Sequence, residues 1–153
     1  MTTGEGGLTG DFAIVGNIVQ RYAAELATLG LDQTGATIEG SPRTLVFSVF
    51  HFLNQRTGMA LDISFFPARH GRCGGFNAFL IRPGNHKLSV KEYLNLHGLG
   101  EATKTFTYRE PMDVRIFADI FLQSLIRLLE ENLRSFLDGT AWEETPIDWM
   151  GYK

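Results

Sequence analysis

Thr44-Leu45-Val46-Phe47-Ser48-Val49-Phe50-His51-Phe52-Leu53, followed by Met59-Ala60-Leu61-Asp62-Ile63-Ser64-Phe65-Phe66, decides the fold. Side chains of an extended chain point alternately to the two faces of a sheet. In the first run Leu45, Phe47, Val49, His51 and Leu53 share one face, and Val46, Ser48, Phe50 and Phe52 share the other. Apolar groups on both faces predict an interior strand. In the second run Leu61, Ile63 and Phe65 oppose Ala60, Asp62, Ser64 and Phe66, so one face is buried and the other partly wet. Asn54 to Gly58 has the length of a hairpin loop. Pro67 ends the pairing, and Arg69 to Gly75 leads to a third strand, Phe76 to Arg82.

Outward from this sheet the period becomes helical. Phe12, Val15, Ile18 or Val19, Tyr22, Leu26 and Leu29 recur on one helix face, with Thr9 or Asp11 as cap and Gly30 as stop. Residues 1–10 lack periodicity and read as a mobile tail, and Asp32 to Pro42 as a connecting loop. After the turn Pro83-Gly84-Asn85, Ser89 and Glu92 stand in capping-box register and Leu88 and Tyr93 at hydrophobic-staple positions, predicting a short helix to His97. Thr103 to Arg109 alternates threonines with Lys104, Phe106 and Tyr108, the pattern of an edge strand. Pro111 suits the first turn of a long helix ending at Gly139, with Val114, Phe117, Ile120, Phe121, Leu125, Leu128, Leu129, Leu133 and Phe136 as its apolar stripe. A second copy of the chain could meet part of that stripe. Residues 139–153 form an aromatic and acidic tail expected to pack back on the domain. The expectation is one α+β domain over residues 1–153. It has a single antiparallel sheet of three to four or more strands, packed by an N-terminal helix, a short middle helix and a long C-terminal helix.

Composition bounds the function. The 153 residues are 44% hydrophobic and 20% charged, which suits a folded domain rather than a disordered chain. The single Cys73 excludes an intrachain disulfide, and with His51, His70, His86 and His97 it makes no zinc-binding pattern, so neither metal nor cofactor is expected. No basic segment leads into an apolar one near Met1, and no run approaches the ~18 apolar residues of a membrane span, so a cytoplasmic protein without membrane association is expected. From Arg43 to Lys91 seven Lys and Arg face Asp62 alone, a net +6, whereas the remainder carries -9 within the total of -3. Such segregation would steer a charged partner if it survives folding. A pI near 5.8 disfavours nucleic acid.

Candidate chemistry is sparse. Arg69, His70 and Arg72, with Cys73, Gly74 and Gly75, gather a thiol, an imidazole and two guanidinium groups in one loop. That loop reads as a basic surface loop rather than a thiolate site, because nothing fixes its geometry. Asp62 and Ser64 could approach His51 from the neighbouring strand, although a hydrogen-bonded sheet face accounts for them equally well. The pairs Glu130-Glu131 and Glu143-Glu144 read as solvated surface, and no phosphate-binding glycine motif occurs.

The segment Leu61-Asp62-Ile63-Ser64-Phe65-Phe66-Pro67, the capped helix from Leu88-Ser89 to Tyr93-Leu94, and a long terminal helix followed by Trp142 and Asp148-Trp149 resemble small bacterial immunity proteins. The resemblance implies a non-enzymatic inhibitor that binds a cognate toxin, and it carries over no site residue by residue. Trp142, Glu143, Glu144, Asp148 and Trp149 are the expected contacts for a basic partner surface, aromatic anchors among carboxylates. The element order is also similar to that of type III-like secretion chaperones. That alternative implies a homodimer with apolar grooves for an extended effector segment.

Overall fold

The structure, a computed structural model, describes residues 3–40, 46–68, 73–108 and 112–143, with side chains from Gly10 onward. The N-terminal helical period resolves into α1 (Thr3–Arg21) and α2 (Ala23–Thr28). The break falls at Tyr22, whose N–H is shared between the carbonyls of Ile18 and Val19. Two expectations change at the start of α1. Thr9 and Asp11 lie inside the helix rather than capping it, and helix occupies most of the segment read as a tail. Once the buried turns of Val15, Ile18 and Val19 are nucleated, adding further turns costs little. Gly30, at φ 86°, ends α2 as expected. Its N–H bonds to Ala27 and that of Leu31 to Leu26, and both leucines are fully buried.

The chain then pairs where a loop was expected. β1 (Asp32–Glu39) lies antiparallel to β2 (Phe47–Leu53). As an outer strand it is mostly exposed and needs no apolar alternation, which hid it from a reading based on period. The sheet continues through β3 (Ala60–Phe66), β4 (Gly74–Arg82) and β5 (His86–Ser89), each antiparallel to the last. β5 was also unforeseen; it forms because Gly84 and Asn85, both at positive φ, fold the chain back onto β4. β6 (Thr107–Tyr108) pairs with the other end of β4, completing six strands among the described residues.

Gly74 and Gly75 do more than link a loop to a strand. A Cβ on Gly74 would lie 2.3 Å from the Ala68 nitrogen, and one on Gly75 2.2 Å from the Phe106 carbonyl oxygen. Only glycine allows the start of β4 to pass between these backbones.

α3 (Val90–Leu96) is capped as predicted, with the Ser89 hydroxyl accepting from the Glu92 N–H at 3.3 Å. The strand expected at 103–109 shrinks to β6. Before it, Gly100–Phe106 forms a 3-10 helix. There the Thr103 and Thr105 hydroxyls donate to the carbonyls of Gly100 and Ala102, a local alternative to the ladder. α4 (Val114–Glu131) is capped by Asp113, while Pro111 lies outside the described residues. The expected long helix breaks at Asn132-Leu133 and resumes as α5 (Arg134–Leu137), before Gly139 turns the chain at φ 75°.

One sheet face meets the helices. Phe50, Phe52, Leu61, Ile63, Phe65, Phe76, Ala78, Leu80 and Leu88 pack there against the buried stripes of α1, α3 and α4. Phe76 and Phe121 stack at 4.2 Å, and Phe106 meets Phe121 edge-on at 5.0 Å. The fold is thus α+β with a single antiparallel open sheet.

Candidate functional site

Alternation that sends these residues to the helices sends Phe47, Val49, His51 and Leu53 of β2, Asp62, Ser64 and Phe66 of β3, and Asn77, Phe79 and Ile81 of β4 to the opposite face. The apolar residues of this set lie outside the core cluster, and all but Val49 are half-buried. Phe47 stacks on Phe66 at 4.9 Å, shielding one end of the face.

At its centre three strands bring polar groups together. Register places His51 opposite Asp62, with His51 Nδ1 2.8 Å from Asp62 Oδ1. His51 Nε2 lies 3.2 Å from Thr37 Oγ1 on β1. With its proton on Nδ1, the ring donates to the carboxylate and accepts from the threonine hydroxyl. Both nitrogens are then satisfied on a face otherwise rich in apolar carbon.

Asp62 therefore approaches His51, as its place on β3 allowed, whereas Ser64 sits opposite Val49. Thr37 takes the position beyond the imidazole, and sequence reasoning missed it because β1 itself was missed. Its signal was faint: Thr37 stands two residues from Gly35, which register sets opposite His51. The order hydroxyl, imidazole, carboxylate is that of a nucleophile, its base and an orienting group. Here it lies on an open sheet face. Two clefts among the described residues lie elsewhere. One, of about 330 Å³, has Met59, Arg82 and Trp142 in its walls. The other, of about 380 Å³, lies between Asp11, Tyr108 and Asp113.

Of the expected partner contacts, Trp142 and Glu143 are described and partly buried. Trp142 meets Phe136 edge-on at 6.3 Å, and the Arg82 guanidinium lies over its ring at 5.6 Å. Glu143 Oε2 is 2.6 Å from His97 Nε2. His97 in turn lies against Tyr93 at 4.3 Å. Burial, then the negative Glu143, push the Tyr93 hydroxyl pKa up. Glu144, Asp148 and Trp149 lie outside the described residues, as do Arg69, His70 and Arg72 of the basic loop. Cys73, which follows that loop, is exposed.

At one end of the sheet Arg56 of the β2–β3 turn lies 3.8 Å from Asp138 after α5, an exposed pair. Among the described residues, no three His, Cys, Asp or Glu side chains are placed to hold a metal ion, and no helix is long and apolar enough to cross a membrane. Comparison with protein-family models, curated proteins and solved structures found no match.

Proposed function

We propose that this chain is a non-enzymatic protein-binding domain, and that its working surface is the sheet face opposite the helices of the described residues. The observation that carries this reading is the half-buried set Phe47, Leu53, Phe66, Phe79 and Ile81 around the satisfied His51–Asp62 pair. Aromatic and aliphatic carbon with few charges is the composition of an interface centre, and a rigid antiparallel sheet presents it with little ordering to lose on docking. The role proposed is that of an immunity protein, neutralising a bacterial toxin by covering it. Trp142 and Glu143, with Glu144, Asp148 and Trp149 beyond them, form a second, acidic contact for a basic partner.

The test begins with affinity capture and mass spectrometry to identify a partner, followed by reconstitution with that purified protein. Replacing Phe47 and Phe79 together with glutamate should weaken the complex at least about 100-fold while the circular dichroism spectrum is retained, since interface-centre aromatics dominate binding energy. An unchanged affinity would remove the sheet face from the interface.

A specific feature favours the secretion-chaperone alternative. Ile116 and Ile120 stand one turn apart on α4 and are 56% and 42% exposed, and Met112, just before the Asp113 cap, is 44% exposed. An apolar row of this kind suits a subunit contact. A concentration-independent monomer in light scattering would count against that alternative, and a dimer broken by Ile116→Glu would favour it.

A further inference from the structure

The cleft of about 330 Å³ is built at the end of the sheet where two turns meet the segment after α5. Thr57 and Met59 come from the β2–β3 turn, Arg82 from the end of β4, Pro83 from the turn after it, and Thr140 and Trp142 from the C-terminal side. Its volume falls in the range of small-ligand pockets, roughly 300–1,000 Å³.

Accounting for the polar groups in these walls narrows what could enter. Thr57 Oγ1 donates to the Leu137 carbonyl and accepts from the Met59 N–H. Thr140 Oγ1 donates to the Ser135 carbonyl, and the backbone N–H groups of Gly139, Thr140 and Ala141 are all bonded to carbonyls of α5 and its immediate surroundings. Arg82 differs: its guanidinium rests over the Trp142 ring, and no carboxylate pairs with it among the described residues. A ring face attracts the cation without using the N–H fork. The same cleft is walled by the indole and Pro83, with the buried Met59 beneath.

We propose that this cleft is a binding site for a carboxylate carried on a flat apolar body. Arg82 takes the carboxylate through paired N–H bonds, and the Pro83 and Trp142 surfaces take the apolar part. A free aromatic acid and the C-terminal residue of a peptide both offer this chemistry. The site is separate from the sheet face but shares Trp142 with the acidic contact proposed above, so the decisive variants fall on Arg82, which that contact does not use.

Titration of the full chain followed by ¹⁵N–¹H correlation spectra tests it, with phenylacetate and a tetrapeptide ending in phenylalanine as the two probes. Phenylacetamide and the C-terminally amidated peptide serve as uncharged controls. The expected result is saturable shifts at Arg82, Thr140, Ala141 and Trp142, with the amides at least about tenfold weaker because the charge-assisted bonds are lost. Saturation by phenylacetate assigns the free acid, and saturation by the peptide alone assigns a chain terminus. Arg82→Gln should weaken the bound probe by a similar factor with spectral dispersion retained, while Arg82→Lys should fall between. Should Arg82→Gln disturb the fold, Trp142→Leu, which removes the ring platform, should also weaken the probe. Absence of saturable shifts with both probes in tens of millimolar, equal binding of acid and amide, or full binding by a folded Arg82→Gln variant would each overturn the proposal.

Discussion

His51 on β2 and Asp62 on β3 face each other across one register pair, with Nδ1 and Oδ1 2.8 Å apart, and the Thr37 hydroxyl from β1 closes the other side of the ring. A single hydrogen-bonded line thus crosses three strands. Asp62→Ala, which removes the acceptor, should cost about 1 kcal/mol in urea unfolding, the usual net worth of such a bond. It should also release the imidazole from the tautomer with its proton on Nδ1, visible in long-range ¹⁵N–¹H correlation spectra. An unchanged tautomer would show that the carboxylate does not orient the ring.

The two faces of the sheet should respond differently to truncation. Phe121 is fully buried between Phe76 and Phe106, and Phe121→Ala is expected to cost about 3–5 kcal/mol. Phe79 is half-buried on the open face, and Phe79→Ala should cost no more than about 1.5 kcal/mol. Equal losses in chemical denaturation would mean that the open face is covered like a core.

Gly75→Ala tests the close approach of β4 to the segment entering β6. The added methyl would meet the Phe106 carbonyl oxygen at 2.2 Å, a backbone atom without a rotamer to escape by. A loss of about 2–3 kcal/mol is expected, with weakened amide protection at Thr107 and Tyr108 in hydrogen exchange.

Tyr22 ties the break between α1 and α2 to α4. Its hydroxyl bonds to Asp119, and Gln123 Nε2 donates to it at 3.1 Å. Burial, then the bond to the Asp119 carboxylate, raise the phenol pKa above its ordinary value near 10. The folded state therefore holds this proton more tightly than the unfolded chain does. The resulting stability is fully present below the unfolded-state value and is lost as pH rises through the folded-state value. Tyr22→Phe should be less stable by about 1 kcal/mol at neutral pH, and its deficit should shrink above pH ~10. A deficit independent of pH in that range would contradict the assignment.

Replacing Glu143, Glu144 and Asp148 with their amides tests the acidic tail. The contact of Glu143 with His97 is substantially exposed, so stability should fall by less than about 1 kcal/mol. Affinity for a basic partner should fall at least about tenfold, and unchanged neutralisation would place the contact elsewhere.

Local chemistry was enough to place much of this fold. The period of two across Phe47 to Phe66 marked β2 and β3 and their buried faces, because burial on one side of a pleat writes itself into alternate residues. Ser89 declared the start of α3 and Gly30 the end of α2, since capping and left-handed backbone need particular side chains wherever they occur. The pairing of His51 with Asp62 was within reach of the same reading, once β2 and β3 were taken as neighbours.

Long-range contact decided the rest. β1 and β5 gain their strand character from partners, and a mostly exposed outer strand such as β1 carries no apolar alternation to announce it. Thr37 could meet His51 only once that strand was paired. Gly75 looked like a loop residue until the Phe106 backbone passed beside it. Arg82 and Trp142 stand 60 positions apart in the chain, so their stacking depended on two turns and the end of α5 converging. Residue order determined which segments bury a face, because that preference acts locally. Which polar groups meet on the uncovered surface was settled by tertiary structure, because a hydrogen bond or a cation over a ring needs both partners in place.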